Sequence, residues 1–279
     1  MRWQGRRESS NIEDRRSQGG GGGFSGKPGG ILGLIIVLVG AYYGVDLSGF
    51  VDSPSLTGQT STTQLASQEE EQLNKLSRVV LADTEDTWNA YFRSQGKQYQ
   101  APTMVLYSGA TRTACGTGQS AMGPFYCPND NKVYLDLSFY SGMKNKLGAA
   151  GDTAFAYVIA HEVGHHVQNQ LGILPQVHRA QQQTNRTEAN RLSVKLELQA
   201  DCFAGVWANR ASKQGLFEAG DVEEAFNAAE SVGDDRLQKR GQGYVVPDSF
   251  THGTSAQRLQ WFRQGLNSGN PASCNTFAN

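Results

Sequence analysis

Asp152-Thr153-Ala154-Phe155-Ala156-Tyr157-Val158-Ile159-Ala160-His161-Glu162-Val163-Gly164-His165-His166-Val167-Gln168 decides the reading of the chain. Its apolar residues Phe155, Val158, Ile159 and Val163 recur at helical spacing, so the stretch is predicted as a helix that starts near Asp152 and stops at Gly172. His161 and His165 are four residues apart and stand about 40 degrees apart on one face. Two imidazoles so placed can share one metal ion. Glu162 projects from the neighbouring edge, where it can act on water as a general base without displacing a ligand. Gly164 lets a second backbone come close.

Catalytic zinc takes three protein ligands and keeps one position open. The run Leu196-Glu197-Leu198-Gln199-Ala200-Asp201 supplies the third on a second predicted helix, about Thr187 to Arg210. Glu197 and Asp201 are one turn apart on a helix otherwise rich in Leu198, Ala200, Phe203, Ala204 and Trp207. A carboxylate pair among such neighbours calls for a reason such as a metal. Glu197 is read as the ligand, and Asp201 as the acceptor that fixes the ring of a ligand histidine. The bland alternative is a solvated acidic face. Of the remaining histidines, His166 points about 100 degrees away and is read as structural. His178 follows Pro175 and is read as a surface loop residue. His252, in Phe250-Thr251-His252-Gly253-Thr254-Ser255, precedes a capped helix; it either donates to a developing oxyanion or merely packs.

Around this centre the chain divides unevenly. Hydrophobic residues make up 38% and charged residues 18% of 279, with a net charge of −1. That excludes a general basic field for nucleic acid. Residues 1–28 carry Arg2, Arg6, Arg7, Arg15, Arg16 and Lys27 with a glycine run from Gly19 to Gly23, and read as a disordered cytoplasmic tail. Residues 29–47, apolar from Ile31 to Val45, read as a short transmembrane anchor. Its one-sided basic flank predicts a cytoplasmic N-terminus and an extracytoplasmic or periplasmic catalytic domain in the cell inner membrane. Residues 48–67 read as a tether, and residues 68–279 as the zinc peptidase domain.

Within that domain, Leu73, Leu76, Val80, Trp88 and Tyr91 share a helical face, and Ser67-Gln68-Glu69-Glu70 has the pattern of a capping box. Strands are predicted at Thr103–Tyr107 and Lys132–Leu137, the latter as an edge on which an extended substrate could pair. Further helices are predicted from about Asp221 to Val232 and from Thr254, with Gln257 completing a capping box, to near Gly265. Four cysteines allow three pairings. Cys115 with Cys127 closes a short loop, and Cys202 with Cys274 ties the tail to the helix of Glu197. Four reduced thiols are the alternative if the domain is cytosolic.

His161 to Gln168, Glu197-Leu198-Gln199-Ala200-Asp201-Cys202-Phe203-Ala204-Gly205 and His252-Gly253-Thr254-Ser255-Ala256-Gln257-Arg258 resemble the bacterial neutral zinc metallopeptidase family. Gly123-Pro124-Phe125-Tyr126-Cys127-Pro128, Tyr134-Leu135-Asp136 and the basic, glycine-rich and apolar start match it as well. The resemblance implies a gluzincin-type site, with His161, His165 and Glu197 on Zn2+ and Glu162 as base. The expected architecture is therefore an α+β, zincin-like domain with a small sheet, an active-site helix and a second ligand helix behind an N-terminal transmembrane helix. The expected partners are a peptide or protein substrate and the membrane, with no nucleic acid. The competing readings are a non-catalytic membrane-tethered zinc-binding module and a soluble cytosolic peptidase.

Overall fold

Strand-forming residues Thr103–Tyr107 (β2) and Lys132–Asp136 (β6) lie side by side in parallel, Thr103 opposite Lys132, and form the buried centre of a four-stranded sheet. The computed structural model that shows this describes residues 1–18 and 67–278. Phe125–Cys127 (β5) flanks β6 antiparallel, and Ile12–Asp14 (β1) flanks β2 in parallel, giving the order β1-β2-β6-β5. Ala110–Thr113 (β3) and Gly116–Gln119 (β4) form a separate hairpin. β6 is thus interior. The expectation that Lys132–Leu137 is an open edge fails because β2 and β5 occupy both of its sides.

Helices cover this sheet. Ser67–Ser94 (α1) buries Leu73, Leu76, Val80 and Trp88, the predicted face, with Tyr91 packed at its margin. Asp152–Gln170 (α2) carries the histidine motif, and Gly172 beyond its end turns the chain in the left-handed region. Ile173–Gln181 (α3) follows where a loop around His178 was expected. Pro175 fits there because the first helical turn has no use for its missing N–H. Arg186–Lys213 (α4) starts at Asn185, whose side chain accepts from the Glu188 N–H. Asp221–Ser231 (α5), Asp234–Gln242 (α6) and Ser255–Ser268 (α7) follow, and Thr254 and Gln257 form the predicted capping box at α7.

Two glycine contacts fix how the functional helices cross. A Cβ on Gly164 would lie 3.1 Å from the Ala200 carbonyl, so α2 and α4 touch backbone to backbone between the histidines and Glu197. A Cβ on Gly265 would lie 1.9 Å from the Cys202 carbonyl, and one on Gly205 2.1 Å from the Phe262 carbonyl. Only glycine at both positions lets α7 lie this close against α4. Both cysteine pairs form as read, Cys115–Cys127 in the hairpin region and Cys202–Cys274 between α4 and the tail.

The N-terminal residues depart most from expectation. Residues 1–18 are not a disordered tail; they are built into the domain. Trp3 is buried in the main core, and its indole donates to the Asp152 carboxylate (2.7 Å) at the start of α2. Arg7 pairs with Glu85 and Asp86, while Ser9 and Asn11 donate to Glu85. Arg16 joins Asp14 and Glu70. These partners absorb the basic charge that suggested a solvated tail. β1 then adds to the sheet with Ile12 opposite Met104. The folded domain therefore includes residues 1–18 as well as residues from 67 onward.

A single membrane crossing between residues 18 and 67 would separate β1 from β2 by a bilayer, yet the two are hydrogen-bonded neighbours. The orientation with a cytoplasmic N-terminus and an exported domain is therefore incompatible with this fold. The anchor at 29–47 and most of the tether at 48–67 lie outside the described residues. Among the described residues no helix is long and apolar enough to cross a membrane.

Candidate metal centre and active site

α2 and α4 meet at Gly164 and Ala200, and this close approach brings His161 and His165 against Glu197. The three side chains each offer a ligand atom, all within 4.8 Å of one another. His161 Nε2 lies 3.1 Å from one Glu197 oxygen and His165 Nε2 3.3 Å from the other. Two imidazole nitrogens and a carboxylate form the donor set of a catalytic zinc site. The opposite ring nitrogens are already engaged: His161 Nδ1 donates to Asp201 (2.8 Å) and His165 Nδ1 to Gln168 (2.9 Å). Both Nε2 atoms are thereby the ones turned toward Glu197, where a cation would replace any proton they carry.

Asp201 is fully buried and holds more than the His161 ring in place. Its carboxylate accepts from the Tyr157 hydroxyl (2.5 Å) and from Arg258 Nε (2.8 Å) and Nη2 (2.9 Å). The α4–α7 contact at Gly205 and Gly265 is what carries Arg258 to Asp201. Although burial opposes it, Arg258 and His161 hold the Asp201 carboxyl below its usual range. Burial likewise opposes the charged form of His161, but Asp201 and Glu197 outweigh it and lift its pKa to about 10. A pocket that binds a proton this firmly has the negative potential a divalent cation needs. Glu197 is held well below the carboxylate range, against burial, by His165 and His161.

Glu162 sits beside these ligands and is buried. Burial raises its pKa, opposed by His161 and His165. A carboxylate perturbed upward by desolvation next to a cation site is suited to taking and returning a proton.

His252 reaches the site from the α6–α7 connection. Gly253, in the left-handed region, packs on Val194 and Leu198, which bracket Glu197 on α4. Asp234 at the start of α6 clamps this loop, accepting from the backbone N–H groups of Thr251, His252 and Gly253. It also accepts from His252 Nδ1 (3.1 Å). The ring is half exposed, and its pKa is raised by Asp234 and Glu197 over the opposing effect of burial. His166 points elsewhere, as expected: Nε2 donates to the Gln100 carbonyl (2.6 Å), Nδ1 accepts from Tyr126, and burial lowers its pKa to about 4. His178 is half-buried on α3, not on a surface loop, and burial lowers its pKa.

Tyr157, Gln168, Asp234 and Arg258 are absent from the candidates read off the sequence. Tyr157 lies one turn before His161 on the same face, so helical spacing alone could have found it. Arg258 and Gln168 end two of the motif blocks quoted above. No local signal marks Asp234, whose role depends on α6 meeting the His252 loop.

Comparison with known proteins agrees with this geometry. The chain is 58% identical to the uncharacterized protein YpfJ of Escherichia coli (strain K12), covering 99% of each chain. It is 39% identical to the uncharacterized protein Rv2575 of Mycobacterium tuberculosis (strain ATCC 25618 / H37Rv) and to Mb2605 of Mycobacterium bovis, over 74% of this chain and 72% of each relative. No solved structure matches it. The family model described as "Putative neutral zinc metallopeptidase" matches residues 1–277, and the chain belongs to that family.

Proposed function

We propose that this protein is a zinc-dependent endopeptidase of zincin type that hydrolyses peptide bonds in peptide or protein substrates. The observation that carries this reading is the convergence of His161 Nε2, His165 Nε2 and the Glu197 carboxylate, with Glu162 buried alongside. When bound by these three residues, zinc supplies a Lewis acid that acidifies water and polarises a carbonyl. Glu162 takes the proton of the attacking water and passes it to the leaving amine. Asp201, itself held by Arg258 and Tyr157, keeps His161 in the tautomer that presents Nε2. Protonated His252, with Nδ1 donated to Asp234, directs its second N–H toward the developing oxyanion.

The two disulfides support an extracytoplasmic working compartment. Attachment to a membrane through residues 29–47 belongs to this proposal with residues 1–18 and the rest of the domain on one side of it, because residues 1–18 share its fold.

The rival non-catalytic zinc module has no use for a desolvated carboxylate beside the ligands. Metal content and peptide cleavage of two variants separate the roles. Glu162→Gln is expected to keep one zinc per chain and lose cleavage, whereas Glu197→Ala loses both. Metal retained by Glu197→Ala but lost by Glu162→Gln would refute the assignment.

A further inference from the structure

The carbonyl of Cys274, in the C-terminal tail, stands at the end of a buried chain of side-chain amides that leads to His165. Gln199 Nε2 donates to that carbonyl (2.8 Å). Gln168 Nε2 donates to Gln199 Oε1 (3.1 Å) and to the Leu196 carbonyl (2.7 Å). Gln168 Oε1 in turn faces His165 Nδ1 (2.9 Å). Gln168 is fully buried and Gln199 nearly so.

The polarity of this chain is forced. A backbone carbonyl only accepts, so Gln199 must turn its NH2 to Cys274 and its oxygen to Gln168. Gln168 must then turn its NH2 toward Gln199 and Leu196, which leaves its oxygen for the ring. An oxygen facing Nδ1 requires the proton there. In the neutral ring His165 Nε2, which faces Glu197 (3.3 Å), is then the nitrogen with the lone pair, the form a metal ligand needs. The tail carbonyl is itself fixed to α4 on both sides of the amide, by the Cys202–Cys274 disulfide and by the Thr276 hydroxyl on the Lys195 carbonyl (2.6 Å).

We infer that Gln168 and Gln199 are positioning residues that transmit the orientation of the disulfide-fastened C-terminal tail to the tautomer of the ligand His165. His161 is set by a carboxylate, which imposes the Nδ1 proton by charge. His165 is set by a neutral amide, which imposes it only because its own orientation is locked from behind. The inference rests on His165 being a metal ligand, but its test does not depend on catalysis.

The test measures zinc affinity by competition with a chelator in the full chain, together with 15N chemical shifts of the His165 ring in the metal-free protein. Gln168→Met removes the acceptor with little change in volume and is expected to weaken zinc about 10- to 100-fold. Gln199→Met leaves Gln168 in place but unlocks it, and is expected to weaken zinc several-fold while the His165 shifts move from a fixed Nδ1–H pattern to a tautomer average. The wild-type pattern and affinity in a folded Gln199→Met protein would overturn the relay. So would a folded Gln168→Met protein that binds zinc within twofold of native. Both effects in the variants, with a native protein that binds zinc but cleaves nothing, would leave the relay standing and refute the peptidase reading.

Discussion

Replacing Arg258 by Met removes the guanidinium that neutralises Asp201 while keeping an unbranched apolar stem. Asp201 is 0% exposed and Arg258 4%, and two hydrogen bonds of 2.8 and 2.9 Å join them. Leaving a buried charge without its partner typically costs about 3–5 kcal/mol. For a domain of this size each kcal/mol shifts Tm by about 2–4 °C, so a fall of about 10 °C is expected. The measurement is thermal and urea unfolding of zinc-free protein, with Asp201→Asn and the double variant closing a cycle. The double variant should recover about 2 kcal/mol or more relative to the sum of the single changes. The pH dependence has a defined sign. Because the folded-state pKa of Asp201 is depressed, its contribution is present above the ordinary carboxylate range and is lost as pH falls through the folded value. The gap between native protein and Arg258→Met therefore closes toward acid. A loss below about 1 kcal/mol at neutral pH, or additive single changes, would refute the view that Arg258 is the counter-ion that permits Asp201 to be buried.

Other outcomes are equally specific. His252→Ala should keep zinc and fold and lower kcat by about 10- to 100-fold with little change in KM, the smaller figure reflecting its half-exposed ring; full activity would leave only a structural role. The pH profile of kcat/KM should be bell-shaped: activity rises as Glu162 loses its proton above the ordinary carboxylate range, and falls as His252 loses its own above the ordinary imidazole range. In neutral His252 the remaining proton stays on Nδ1 with Asp234, so an alkaline limb that persists unchanged in His252→Ala would contradict this assignment. Epitope tags at residue 1 and at the C-terminus should be accessible from the same side of the membrane in intact cells or spheroplasts. Tags on opposite sides would mean that β1 does not pair with β2 in the cell.

Each half of the candidate metal triad was legible because it is local. One helical turn sets His161 against His165 and another sets Glu197 against Asp201, whereas the meeting of the two halves depends on the crossing of α2 and α4 at Gly164 and Ala200. Both capping-box strands of evidence at Thr254 and Gln257 are local in the same way, as is the glycine at 164 that admits a second helix. Arg258 was not legible: it reaches Asp201 only because Gly205 and Gly265 let α7 lie on α4, a contact between residues far apart in the chain. The N-terminus misled for a related reason. Its arginines read as solvated because their partners Glu85, Asp86 and Glu70 are on a distant helix, and Trp3 and Ile12 are too sparse to show a period. Likewise, Lys132–Asp136 has the composition of an edge or a central strand alike, and only the neighbours β2 and β5 decide which.

Incubating zinc-loaded protein with an unfolded proteome, and sequencing the new N-termini, tests the central claim most directly. Native protein should generate new termini that are absent with zinc-loaded Glu162→Gln. Native protein that holds one zinc per chain through His161, His165 and Glu197 yet yields no termini beyond those of Glu162→Gln would contradict it.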